Sequence, residues 1–288
     1  CKENNVYNEH FMNMECCPVC GSASQKRFIM ECPIDPDGYT AFEKPGDVTK
    51  HFERTIQEFR QYNPQVLSRP SYLDGDSKDT ADYKIGPWII TLDGVATNEE
   101  MERLIYWGHK FGYERSTDGG DASMDGSWEA VETDDRTSSE TFCDGLCDTD
   151  PIIQGLMKRI ENVTGIPEAH SDYLQLLYYT EGQFYKTHQD YHSHQVFSST
   201  GARILTFYIY LNDVESGGGT NFPYLDLTIM PKKGRVAMWA NVLDEDPMEE
   251  HLLARHQALP VESGEKYGAT AWFHHRDYMN NNPDLCGR

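Results

Sequence analysis

After Pro167 the chain breaks into short apolar or alternating stretches, and this texture limits the possible folds more than any other feature of the sequence. Residues 173–180, 184–191, 203–212, 225–230, 235–240, 251–258 and 267–275 each read as a strand. Turn signals separate them, notably Gly217-Gly218-Gly219 and Pro231-Lys232-Lys233-Gly234. Many short strands at this spacing predict a β-sandwich or jelly roll. Upstream, Trp88-Ile89-Ile90-Thr91-Leu92 predicts a buried strand. Thr97 with Glu100 forms a capping-box pattern, and Met101, Leu104, Ile105, Gly108 and Phe111 share one helical face that ends at Gly112. Asp150 and Pro151 open a second helix that ends before Gly165. Two helices ahead of the strands would pack on one face of a sheet. Residues 115–127, rich in Asp, Gly and Ser, read as a mobile loop. The fold class expected is mainly β with flanking helices.

The first 80 residues show no sustained period, apart from Val48, Phe52, Ile56 and Phe59, which recur at helical spacing. We expect a Cys-rich extension and linker over 1–80, a main domain over 81–278 and a tail over 279–288. Five of the eight cysteines fall in the first 32 residues, which suggests disulfides and an oxidising compartment such as the secretory lumen. Cys17-Pro-Val-Cys20 has no matching second pair, which weakens a zinc reading. Asn162-Val163-Thr164 fits a glycosylation acceptor. The chain begins at Cys1 rather than Met and reads as a processed form. A formal charge of −22 repels phosphate backbones and anionic lipid, and no apolar run is long enough to span a bilayer. Nucleic acid and membrane are therefore poor partners.

The chemistry concentrates in Tyr185-Lys186-Thr187-His188-Gln189-Asp190. Alternation along a strand sends His188 and Asp190 to one face, where two imidazoles and a carboxylate would leave half a metal's coordination sphere open. Such a set suits non-haem Fe(II). Spacing alone leaves choices, because His192 and His194 continue the even positions and His251 competes with His256 as a distal ligand. Lys266, ten residues after His256, could place a cation at the far end of a pocket capped by the metal.

These stretches, with His256-x3-Pro260-Val261-x2-Gly264-x-Lys266, resemble the Fe(II)/2-oxoglutarate dioxygenases of the prolyl 4-hydroxylase family. Arg136-Thr137-Ser138-Ser139, Gln175-Leu176-Leu177-Tyr178-Tyr179, Gly217 to Pro223 and Ala271-Trp272-Phe273-His274 match in order and spacing, so the resemblance covers roughly 84–277. It implies a double-stranded β-helix, cupin-like core. It also implies Fe(II), 2-oxoglutarate and O2, with ascorbate as reductant, and hydroxylation of peptidyl proline with release of succinate and CO2. By the resemblance, His188, Asp190 and His256 hold iron, and Lys266 pairs with 2-oxoglutarate beside Tyr179 and Thr220. Arg203, Trp272, His274 and Tyr185 line the substrate side, Arg136 and Ser138 approach the peptide, and residues 192–202 form a lid. The chain departs from the family at Gly219, at Ala258-Leu259 and at Ala254-Arg255, the last expected to bring a cation near the metal. Those departures leave a small amino-acid-derived substrate as a rival, with hydroxylation, desaturation or cyclisation as outcomes. A non-catalytic jelly-roll binding module is the more distant alternative.

Overall fold

The structure, a computed structural model, describes residues 38–70, 83–122, 128–196 and 198–281. The cysteines of the first 32 residues and the 279–288 tail beyond Asn281 lie outside them, as does most of the expected linker. In chain order the strands are β1 (Gln65–Arg69), β2 (Lys84–Ile85), β3 (Ile89–Asp93), β4 (Glu114–Arg115), β5 (Asp118–Ala122), β6 (Trp128–Val131), β7 (Ser139–Phe142), β8 (Gln175–Tyr179), β9 (Tyr185–His188), β10 (Arg203–Tyr210), β11 (Ser216–Gly217), β12 (Thr220–Phe222), β13 (Leu227–Ile229), β14 (Arg235–Ala240), β15 (His256–Ala258), β16 (Val261–Ser263) and β17 (Lys266–His274). The helices are α1 (Asp47–Glu58), α2 (Asn98–Phe111), α3 (Pro151–Thr164) and the short α4 (Tyr278–Asn281).

A nine-stranded sheet runs β2-β1-β3-β14-β10-β17-β8-β7-β4, and a four-stranded sheet runs β13-β12-β15-β9. Together they form a double-stranded β-helix. Central strands of the large sheet are buried on both faces, so their side chains split by parity into two cores. Leu205, Phe207, Ile209, Ala269, Ala271 and Phe273 face one way, into the core that also holds Leu104, Leu156 and Ile160 of α2 and α3. Tyr208, Tyr210, Leu177, Tyr179 and Trp239 face the other way, packing with Phe222, Ile229 and Val261 from the small sheet and its neighbours. The functional residues stand on this second face.

The helices start and stop where the sequence signals lie. Thr97 and Glu100 form both bonds of the capping box, and Gly112 closes α2 at φ +89°. The Asp150 side chain caps α3, Pro151 follows it, and Gly165 ends the helix in the left-handed region. The α1 helix buries Val48 and Phe52, with Phe52 stacked on Trp88, so this described part of the extension shares the main core.

Four expectations change. Residues 115–127 contain β5, which pairs with β6, rather than loop alone. Glycine and aspartate hid this hairpin, since both disfavour strands. The strand expected over 184–191 ends at His188, leaving Asp190 in a bend. The stretch 251–258 is a 3-10 turn, Leu252–Ala254, followed by the short β15. The strand β1 was unrecognised, yet it pairs antiparallel with β3 in the large sheet.

One seam joins the two sheets. Thr137 N–H donates to Phe184 O at 2.9 Å and Lys186 N–H to Asp135 O at 2.8 Å, with Arg136 bridged to Tyr185 between them. Cys143 and Cys147 form a disulfide just after β7.

Candidate active site

The strands β8, β10, β14 and β17 of the large sheet and β9, β12 and β15 of the small one surround a cavity of about 580 Å³. At one end the ligand atoms of His188, Asp190 and His256 lie within 4.8 Å of one another. Strand pairing makes this meeting, because His256 is the register partner of His188 across β15 and β9. The Nδ1 of His188 lies 2.8 Å from Lys186 O and that of His256 lies 3.0 Å from Ala254 O. A carbonyl only accepts, so both Nδ1 atoms carry a proton, and in a neutral ring Nε2 is then the ligating nitrogen. Those Nε2 atoms stand 3.8 and 3.7 Å from the two Asp190 oxygens. That is too far for hydrogen bonds and suited to sharing an ion.

Asp190, though past the end of β9, is fixed by Thr206, whose hydroxyl donates to Oδ2 at 2.6 Å and itself accepts from Asn241 at 2.9 Å. Tyr185 stacks on His188 at 3.6 Å between ring centroids, and Trp239 packs on His256 at 4.7 Å. Burial, then the neighbouring His256, pushes the His188 imidazole down to about 3, so it remains neutral and able to ligate. Two imidazoles and one carboxylate fit Fe(II). His192 lines the same cavity, but only these three converge among the described residues. His251 lies outside the cavity lining, and burial lowers its pKa.

Lys266 stands in the same wall, 1% exposed. Its Nζ faces the rings of Tyr179, Tyr208 and Tyr210 at 4.9, 5.5 and 5.6 Å. Among the described residues no carboxylate pairs with it, and burial pushes the ammonium down to about 7. Thr220 completes this end, receiving a hydrogen bond from Tyr210 at 2.7 Å. Gly217 and Gly218 turn tightly over it with φ +76° and +69°, and a Cβ on Gly218 would stand 3.3 Å from the Lys266 stem. At Gly268 a Cβ would collide with the Tyr208 phenol, so glycine there lets the ring cross the strand.

The third part of the cavity holds cations that already have partners. Arg203 lies over Trp272 at 3.9 Å and donates to Asp172 at 2.5 Å. His274 bonds the other oxygen of Asp172 at 2.5 Å. Burial alone would raise Asp172, but Arg203 and His274 beside it hold its carboxyl at about 2. Arg136 covers Tyr185 at 4.7 Å and donates to Glu140 at 2.5 Å.

The cavity thus brings together His188, Asp190, His256, Lys266, Tyr179, Thr220, Arg203, Tyr185, Trp272 and Arg136. Two expected residues stand behind it. His274, fully buried, holds Asp172, and Ser138, also fully buried, bonds Ser116 at 2.9 Å. Arg255 turns outward to Gln189 and Glu250 instead of joining the lining. Sequence reasoning missed Asp172, Glu140, Gln175 and Tyr208. The parity of β8 and β10 would have pointed to the last two.

Residues 174–274 match the model of the 2OG-Fe(II) oxygenase superfamily. Prolyl 4-hydroxylase subunit alpha-2 of Gallus gallus is 37% identical over 145 residues, 49% of this chain and 26% of that protein. Prolyl 4-hydroxylase 2 of Arabidopsis thaliana is 29% identical over 231 residues, 73% of this chain and 74% of its own length. Among solved structures, the viral collagen prolyl hydroxylase of Paramecium Bursaria Chlorella virus-1 overlays with a TM-score of 0.49 at 24% identity, covering 65% of this chain and 95% of that one. Residues 174–274 thus resemble the 2OG-Fe(II) oxygenase superfamily. Within it, the prolyl 4-hydroxylases are the branch the chain resembles in sequence, and the chain spans about a quarter of the animal alpha subunits it matches.

Proposed function

We propose that this chain is an Fe(II)- and 2-oxoglutarate-dependent dioxygenase that hydroxylates proline in a peptide or protein, with ascorbate sustaining turnover. One observation carries the reading. A metal-ligating trio and an unmatched buried cation occupy the same cavity. His188, Asp190 and His256 would hold the metal, and Lys266, with Tyr179 and Thr220, would hold the distal carboxylate of 2-oxoglutarate. When bound there, Fe(II) with 2-oxoglutarate and O2 supplies the oxidising power that turns a C–H bond into C–OH, releasing succinate and CO2.

The chain's own residues do the rest. Trp272 offers aromatic surface for a proline ring, Tyr185 lines the cavity beside it, and Arg203, fixed by Asp172, offers a donor at the position where the substrate would lie. Burial of Tyr208, Trp239 and Phe222 keeps water from the reacting carbon. The Cys143–Cys147 disulfide favours an oxidising compartment, and no helix among the described residues is long and apolar enough to cross a membrane.

Succinate release from 2-oxoglutarate under Fe(II), ascorbate and air, followed with proline peptides and with small amino-acid metabolites, tests the reading. A peptide that stimulates turnover and gains one oxygen supports it. Stimulation by small molecules alone replaces it with metabolite chemistry.

A further inference from the structure

The cavity wall built from β5, β7 and β8 is rich in hydrogen-bond acceptors. Gln175 is 3% exposed, and its Nε2 is spent on Glu140, which leaves Oε1 sealed without a donor among the described residues. Asp118 accepts from the Thr133 hydroxyl at 2.7 Å through Oδ2. Its Oδ1 is sealed and has no donor at hydrogen-bond geometry among the described residues, with the Arg136 guanidinium 3.9 Å away and the Tyr185 phenol interacting with the same carboxylate. Glu140 lies beside them, held by Arg136. Among the described residues a single guanidinium therefore faces two carboxylates, and with Glu140 ionised against the upward push of burial the wall keeps one surplus negative charge. Arg203 does not cancel it, being matched by Asp172. The sequence repeats the sign, with seven acidic residues and no lysine or arginine from Ser116 to Asp135.

We propose that the substrate is cationic: a peptide with lysine or arginine within about two residues of the target proline, its head group read by Asp118 and by Gln175 Oε1. This rests on the proline reading above. An ammonium or guanidinium supplies the donors that both oxygens lack and balances the surplus charge. An acidic neighbour instead sets like charges together, and the −22 chain steers it away at long range.

The test uses three proline peptides alike except for lysine, glutamine or glutamate beside the proline, and a lysine peptide with alanine in place of proline. Binding to the whole chain is read by fluorescence anisotropy at about 50 mM and about 300 mM salt, and turnover by product mass. The lysine peptide is expected to bind about tenfold tighter than its glutamine twin at low salt, with the glutamate twin weaker still and the gaps narrowing as salt rises. Asp118→Asn and Glu140→Gln should each shrink the lysine preference. Equal binding of the lysine and glutamine peptides overturns the proposal, as does a preference untouched by both substitutions in folded protein. Should either variant fail to fold, the peptide series on the unaltered chain decides. Tight, charge-dependent binding without oxygen gain in any peptide overturns the proline reading and leaves this inference standing. Hydroxylation of all three proline peptides with equal affinity does the reverse.

Discussion

The two cationic regions of the cavity differ in one respect that separates their roles. Arg203 and Arg136 each meet a carboxylate of their own chain, at Asp172 and Glu140. Among the described residues the Lys266 ammonium meets only aromatic rings. A matched buried cation is a fixed part of the wall, while an unmatched one costs free energy that a bound anion recovers. The difference teaches where a dianionic co-substrate belongs and where the chain has only positioned a donor.

That contrast can be broken experimentally. The largest effect is expected at the metal trio: His188→Ala should cut succinate release by about a thousandfold or more and lower bound iron in parallel, and unchanged iron content would sink the assignment. Next comes Lys266→Met, which should raise the KM for 2-oxoglutarate about a hundredfold. It should also reshape stability with pH. The folded ammonium is held at about 7 by burial, below its ordinary 10.5, so between those values the unfolded chain binds more protons. Stability without ligand should therefore rise with pH across that window, by an amount on the order of a few kcal/mol. Melting curves of Lys266→Met should lack that rise, and 2-oxoglutarate should flatten it in the unaltered chain.

At the matched end, Asp172→Asn should destabilise the fold by about 3 kcal/mol, since it strands Arg203 without a counter-ion. Turnover should fall while the KM for 2-oxoglutarate holds. A rise in that KM would erase the distinction between the two regions. The smallest effect is expected far from the cavity, where Thr97→Ala should cost about 1 kcal/mol in a denaturant melt and leave turnover unchanged.

Much of this contrast was legible in the sequence. Helix ends were readable because Thr97, Glu100, Asp150 and Gly165 act locally. The ligand trio was readable through its motifs, although alternation was only half the cause: β9 ends at His188, and Asp190 is aimed by Thr206 and Asn241. Those partners lie 16 and 51 positions on in the sequence, and only strand pairing brings them near. Asp172 was hidden for the same reason, since its partners Arg203 and His274 come from two other segments. The hairpin of β5 and β6 was hidden by its composition, which reads as loop until pairing is seen.

The seam at residues 135–137 has a mechanical consequence. Backbone hydrogen bonds there tie the strand carrying His188 to the segment carrying Arg136, two residues that both line the cavity. Prising the sheets apart along that line would break these bonds together, so this part of the cavity lining yields as one unit or not at all.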